Sequence, residues 1–152
     1  MTEILQPTPG VFDGREHQLP VRIYYEDTDF SGIVYHANYL RYFERGRSDF
    51  LRVTGVTHAS LLELENPAAF AVTRMSVEFR AAARIDDALE VRTLFESTRG
   101  VRLNFAQRIL RHQTLIASAA VEVVCIDAQG RPRRPPKEVV EAVRPWFSAP
   151  AP

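Results

Sequence analysis

Four stretches between Met75 and Ile126 set the strongest limit on what this chain can fold into. Met75, Val77, Phe79 and Ala81 alternate with Ser76, Glu78 and Arg80. Leu89, Val91, Thr93 and Phe95 alternate with Glu90, Arg92 and Leu94, and Val101, Leu103, Phe105 and Ile109 with Arg102, Asn104 and Arg108. A period of two puts one face of a strand in a core and the other toward water. The fourth stretch, Leu115 to Ile126, is apolar on both faces except at Ser118 and Glu122. It is expected in the interior of the sheet, with its second apolar face marking a subunit contact. The breaks at Arg84–Ala88, Arg99-Gly100 and His112–Thr114 are short, which predicts antiparallel neighbours in chain order.

One long helical pattern precedes these strands. Tyr39, Phe43, Gly46, Phe50 and Val53 follow one another at spacings of four or three residues and share a face. Arg41, Glu44, Arg45, Ser48, Asp49 and Arg52 occupy the other face. Asn38 is the expected N-cap and Gly55 the expected stop. Gly46 in mid-helix costs about 1 kcal/mol relative to alanine, so close approach of another backbone is expected there. Val21 to Glu26 reads as a short strand, His58–Glu65 as a helical turn, and Glu138 to Trp146 as a terminal helix. One apolar helix against a curved antiparallel sheet is a two-layer α+β domain. Its expected span is residues 20–147, with a flexible leader at 1–19 rich in proline and glycine and a disordered tail at 148–152.

Composition removes several function classes. The chain has 152 residues, 45% hydrophobic and 25% charged, which suits one globular domain. It carries 19 basic and 19 acidic residues, and that balance argues against nucleic-acid binding through a broad basic surface. Lys137 is the sole lysine. The arginine excess fits a GC-rich coding sequence, and guanidinium forks also bind phosphate bidentately. No apolar run reaches the roughly 18 residues of a membrane span, and Met1 to Pro20 lacks the apolar core of a secretory signal. A cytoplasmic location is therefore expected. The single cysteine, Cys125, excludes an intramolecular disulfide and reads as a small buried apolar residue.

Chemistry-bearing residues crowd into Tyr24 to Tyr39, at the strand-to-helix junction, where helix N-terminal amides stabilise anions. Asp27, Asp29, Ser31 and Gly32 imitate the start of an EF-hand loop, but Asn38 stands where the bidentate glutamate would be. His36 has no local zinc-binding companion, so no metal is expected. By spacing alone, Asp27 and Asp29 read equally well as turn formers and His36 as a helix-start residue. Tyr25 alone reads as core, and Glu44 and Arg47 as a solvated or subunit-facing helix side. His17, His58 and His112 carry no assignment.

The stretch Tyr25-Glu26-Asp27-Thr28-Asp29-Phe30-Ser31-Gly32-Ile33-Val34-Tyr35-His36-Ala37-Asn38-Tyr39, continued by Phe43-Glu44-Arg45-Gly46-Arg47, resembles the hotdog-fold acyl-CoA thioesterases. It is most similar to the Tol-Pal-associated branch of the 4-hydroxybenzoyl-CoA thioesterase-like family, over about residues 20–146. The resemblance implies hydrolysis of an acyl-CoA thioester to free acid and CoA. It casts Asp29 as the catalytic carboxylate and His36 as the residue whose backbone N–H serves the oxyanion and whose ring orients substrate or water. Tyr25 accompanies them in the pocket, and Asp27 holds the turn. Arg80, Arg84, Arg99 and Arg102 are the candidates for the CoA phosphates. No cofactor is implied beyond the CoA of the substrate. Edge-to-edge dimers paired into a homotetramer are expected ahead of a simple dimer. Two rivals are a hydratase or dehydratase on the same fold, whose later Asp-His motif is missing here, and a non-catalytic acyl-binding or envelope-associated scaffold.

Overall fold

The computed structural model describes residues 2–147. Its core is one antiparallel sheet of six strands in the order β1-β2-β4-β5-β6-β3. The strands are β1 (Val11–Asp13), β2 (Glu16–Arg22), β3 (Ala69–Phe79), β4 (Ala88–Arg99), β5 (Arg102–Arg111) and β6 (Thr114–Ile126). Helix α1 (His36–Val53) packs across β4, β2 and β5, and α2 (His58–Leu62) and α3 (Lys137–Val143) are short. The long helix against the antiparallel sheet is the α+β arrangement expected from the alternation pattern.

Strand order corrects one expectation. β4, β5 and β6 are neighbours in chain order, but β3 pairs with β6 and not with β4. The connection between β3 and β4 crosses the end of the sheet. The N–H groups of Arg80 and Ala81 donate to Ile116 O at the start of β6, and Arg111 at the end of β5 donates to Ala82 O and Asp87. A short break can therefore span several strands when it runs across their ends. β6 is interior, as expected, but its second face is not a broad apolar surface: Ile116 and Val124 are already buried, and Ser118, Ala120 and Glu122 fill the rest. The unpaired feature is the outer edge of β3, 11 residues long.

The leader expected at 1–19 also needs correction. Residues 11–22 form a hairpin, with β2 paired to β4 from His17↔Thr93 to Arg22↔Ala88. Pro7, Pro9, Gly10, Gly14 and Pro20 concealed it. Gly14 has φ +60° in the two-residue turn between Asp13 and Glu16, where a positive φ matches the strand twist. Pro20 lies past the last β1 partner, in the stretch of β2 that pairs with β4 alone, the edge setting in which a strand tolerates proline. The strand read at Val21–Glu26 ends at Arg22 and gives way to a 3-10 turn over Tyr25–Asp27. The expected tail at 148–152 lies outside the described residues.

Helix α1 begins before the expected cap. Tyr35 is the N-cap, and Asn38 sits inside the first turn with its side chain donating to Asp27 O. Val53 ends the helix, and Gly55 follows with φ +102°, in the left-handed conformation that closes helices. Tyr39, Phe43, Gly46 and Phe50 are buried as expected, whereas Val53 is exposed. What crowds Gly46 is side chains rather than backbone. A Cβ there would lie 2.8 Å from Thr93 Oγ1 and Val91 Cγ1 and 3.1 Å from Gln107 Nε2. Gln107 and Thr93 are buried, and the Gln107 amide donates to Phe43 O and Thr93 Oγ1 while accepting from Arg47.

Asp49, expected on the wet face, is buried beneath the N-terminal hairpin. Its Oδ2 accepts from Gly10 N and from His17 Nε2, both at 2.8 Å. His17 is fully buried, and its Nδ1 has no partner among the described residues. Phe12 stacks on Trp146 at 3.8 Å and meets Phe50 edge-on, so the hairpin clasps both α1 and the C-terminal segment.

Two outcomes follow from these contacts. Alanine at position 46 gains about 1 kcal/mol of helix propensity but overpacks a filled interface, which costs about 1–3 kcal/mol. Gly46→Ala is expected to lower stability in urea denaturation, and a stability gain would contradict the contact. Burial pushes the His17 pKa below its ordinary value, with Asp49 opposing the shift. The unfolded chain then binds a proton more readily, so stability is present above about pH 6.5 and falls as pH drops below it. His17→Gln removes the titrating group, and its melting temperature between pH 7.5 and 5.5 should depend less on pH than the parent's.

Candidate active site

The turn holding Asp29 is built from local chemistry. Asp29 O accepts from Gly32 N at 3.0 Å, closing a four-residue turn with aspartate first and glycine last. Asp29 Oδ1 accepts from both Ser31 N and Ser31 Oγ. No described residue donates to Oδ2, so one carboxylate oxygen is anchored and the other is open. Phe30 stands fully in solvent at the tip. The Ser31 hydrogen bonds lower the Asp29 pKa below the ordinary carboxylate range, with a small further contribution from the nearby His36.

The turn is stitched to its surroundings. Thr28 bridges Val34, Ile33 bridges Arg84, and Val34 N donates to Ala83 O. Asp27 is the knot. Its Oδ2 accepts from Tyr24 N at 2.7 Å, and its carbonyl accepts from Tyr35 N and the Asn38 amide. Asp27 is buried and Asp29 exposed, so the two carboxylates divide as turn-holder and free group.

His36 opens α1. Its backbone N–H finds no acceptor among the described residues, as the first amides of a helix do not within the helix itself. Its exposed ring lies against Tyr35 and Phe79, with centroids 4.6 and 6.1 Å away. Asp29 and His36 share the turn-to-helix junction, near enough for the His36 charge to act on the Asp29 carboxylate. Tyr25 stands apart: its ring is 84% exposed, outside the core and without a described contact to either group, while its carbonyl receives Thr28 N and Oγ1.

The four arginines separate. Arg80 pairs with Glu78 and Arg102 with Glu122. Arg84 lies beside the Asp29 turn through its bridge to Ile33. Arg99 and Arg102 face each other across the β4–β5 turn, at the far end of a 12-residue strand. That puts them about 35 Å from the start of β4.

A pocket of about 120 Å³ opens farther along α1, between the helix and the sheet. Leu51, Phe70, Leu103, Phe105 and Val123 form its apolar wall. Ser48 Oγ donates to Glu44 and meets His58 Nε2 at 2.9 Å, and Arg47 sits between them and Gln107. Glu44 and Ser48 share a stripe four residues apart, which was the available signal. Their link to His58 needed the fold.

The family model described as the thioesterase-like superfamily matches residues 24–147, from the turn through the last described residue. The chain belongs to this superfamily. It is 43% identical over 124 residues to the acyl-CoA thioesterase YbgC of Haemophilus influenzae, covering 81% of this chain and 90% of that protein. It is 46% identical over 123 residues to the acyl-CoA thioester hydrolase YbgC of Escherichia coli, covering 80% and 90%. A probable thioesterase from Bartonella henselae superposes with a TM-score of 0.78 at 41% identity, covering 80% of this chain and 99% of that one. The fold is the hotdog fold of these thioesterases.

Proposed function

We propose that this member of the thioesterase-like superfamily hydrolyses acyl-CoA thioesters, with Asp29 as the catalytic carboxylate. The observation that carries the reading is the open Oδ2 of Asp29 in the turn that leads into α1, whose first N–H, at His36, has no acceptor among the described residues. Thioesters lack strong resonance stabilisation, so a positioned carboxylate and an oxyanion donor suffice. The ionised Oδ2 attacks the thioester carbonyl, the His36 N–H receives the developing oxyanion, and collapse expels the CoA thiolate. Water then releases the acid from the acyl-aspartate. The His36 ring orients substrate or water. Tyr25 joins the site from its exposed position once substrate or a second copy covers the turn. The apolar pocket beside Glu44, Arg47, Ser48 and His58 is the candidate receiver of the acyl group.

Arg80, Arg84, Arg99 and Arg102 are candidates for contacts with the CoA phosphates, and Arg84 is the one that adjoins the Asp29 turn. Arg99 and Arg102 serve only across a subunit boundary. The unpaired edge of β3 supports a homo-oligomer, because a long open edge is a template for a second copy. Edge pairing gives a dimer, and two dimers give the tetramer favoured here. The motif from Tyr25 to Tyr39 is the support for the Tol-Pal-associated branch. No helix among the described residues is long and apolar enough to cross a membrane, and the cytoplasmic placement rests on the sequence.

Three variants test the division of labour. Asp29→Asn keeps the shape and removes the charge, and should lower single-turnover hydrolysis of a good acyl-CoA at least about a hundredfold, with little change in melting temperature. Asp27→Asn should cost stability more than turnover. His36→Ala should fall between, because its backbone N–H survives. Near-normal turnover in Asp29→Asn beside a folded but inactive Asp27→Asn would assign the chemistry to the wrong carboxylate. Light scattering at micromolar concentration should give a tetramer mass, and a monomer would remove the β3 interface.

A further inference from the structure

We infer that the cleft between β2 and the middle of α1, flanked by Arg22 and Arg45, is an anion site that takes the nucleotide end of an acyl-CoA. The inference rests on the thioesterase reading and adds a location for the part of the substrate that does not react.

The cleft has a volume of about 470 Å³ and is lined by Arg22, Tyr24 and Arg45, with the buried Leu19 and Val21 of β2 beneath them. Its charge is what sets it apart. The other surface cavities described place an arginine against a glutamate. Arg47 and Glu44 both line the apolar pocket, Arg74 lines one on the sheet with Glu96 and Glu122, and Arg108 lines another with Glu78. Here two guanidinium groups line one space and no carboxylate does. Neither Arg22 nor Arg45 forms an ion pair with a described residue, a state they share with Arg41, Arg74, Arg84 and Arg99, but they are the two that line one cleft together.

Both side chains are held without being neutralised. Arg22 Nη1 donates to Asp86 O at 2.9 Å, which leaves its remaining donors open. The Arg45 guanidinium lies over the Tyr42 ring, 5.7 Å from the centroid. A positioned, unpaired guanidinium is suited to bidentate phosphate recognition. Tyr24, 62% exposed, offers a ring face on which a purine stacks.

The cleft also lies where a bound CoA would pass. The loop from Arg84 to Asp87 separates it from the Asp29 turn. On one side Arg84 bridges Ile33, and on the other Asp86 and Asp87 exchange backbone hydrogen bonds with Ile23. Arg45 is nine residues beyond His36 on α1, about 14 Å along the axis. An extended pantetheine arm spans that distance. A thioester at Asp29 and phosphates at Arg22 and Arg45 are therefore compatible within one chain, which is not so for Arg99 and Arg102.

Two measurements test this. The first is calorimetric titration of the full chain with CoA, which needs no turnover and no choice of acyl group. Arg22→Gln/Arg45→Gln should weaken binding at least about tenfold. Binding to the parent should weaken with added salt, and Arg134→Gln should bind as the parent does. The second is the ratio of kcat/KM for one acyl group carried on CoA to that on N-acetylcysteamine, which lacks the nucleotide. That ratio should fall by a similar factor in the double variant, while a merely misfolded variant would lose both substrates together. Unchanged CoA affinity and an unchanged ratio would overturn the assignment, as would a loss produced by Arg80→Gln and Arg84→Gln but not by the cleft pair. If CoA binds through Arg22 and Arg45 but neither thioester is hydrolysed, the thioesterase reading fails and the cleft stands. If both are hydrolysed with no sensitivity to the cleft pair, the cleft fails and the reading stands.

Discussion

The fold turns on the absence of a side chain at Gly46. At this point α1 comes so close to the sheet that Thr93, Val91 and Gln107 occupy the space a Cβ would need. The close approach lets Gln107 reach up to the Phe43 carbonyl and outward to Arg47, so a buried polar group is satisfied by the helix it touches. A fully satisfied buried network fixes one register where apolar packing alone would tolerate several. The seating fixes both ends of α1. His36 is delivered to the Asp29 turn, and Asp49 is delivered beneath the hairpin where His17 and Gly10 meet it.

Legibility in the sequence followed the range of the interactions. The long helix, strands β4 to β6 and the clustering of Asp27, Asp29 and His36 at one junction all arise from periodicity or from contacts a few residues apart. Features that depend on distant partners were hidden. Asp49 follows a polar stripe by every local rule and is buried only because residues 10–17 fold back over it. The β1–β2 hairpin carries the proline and glycine content of a loose leader. β3 finds β6, since Arg80 and Ala81 bond to Ile116 at the sheet end and carry the chain past β5. Tyr25 reads locally as core, yet it belongs to a 3-10 turn that leaves the ring outside.

Charge is sorted in a way the net value of zero conceals. Carboxylates accompany most arginines of the sheet, and surface pairs of that kind contribute little to stability. Their effect is to neutralise the sheet surface. At the β2–α1 cleft two guanidinium groups share one space with no carboxylate in its lining. Asp29 is the counterpart on the acidic side: its carboxylate is held by a hydroxyl and an amide, not by a cation, and so keeps its charge.

The crossing connection between β3 and β4 has a consequence for the order in which the protein is made. The Asp29 turn rests on Ala83 and Arg84, and their loop is fastened in turn to Arg111 and, through Arg80 and Ala81, to Ile116. None of these anchors exists while only the first hundred or so residues have left the ribosome. The motif is written near the beginning of the chain and its turn closes on local hydrogen bonds, but the loop beneath it is fastened to residues of β5 and β6. The footing of the site is therefore complete only after β5 and β6 have been made, so the step that completes the sheet also completes the support under the reactive carboxylate.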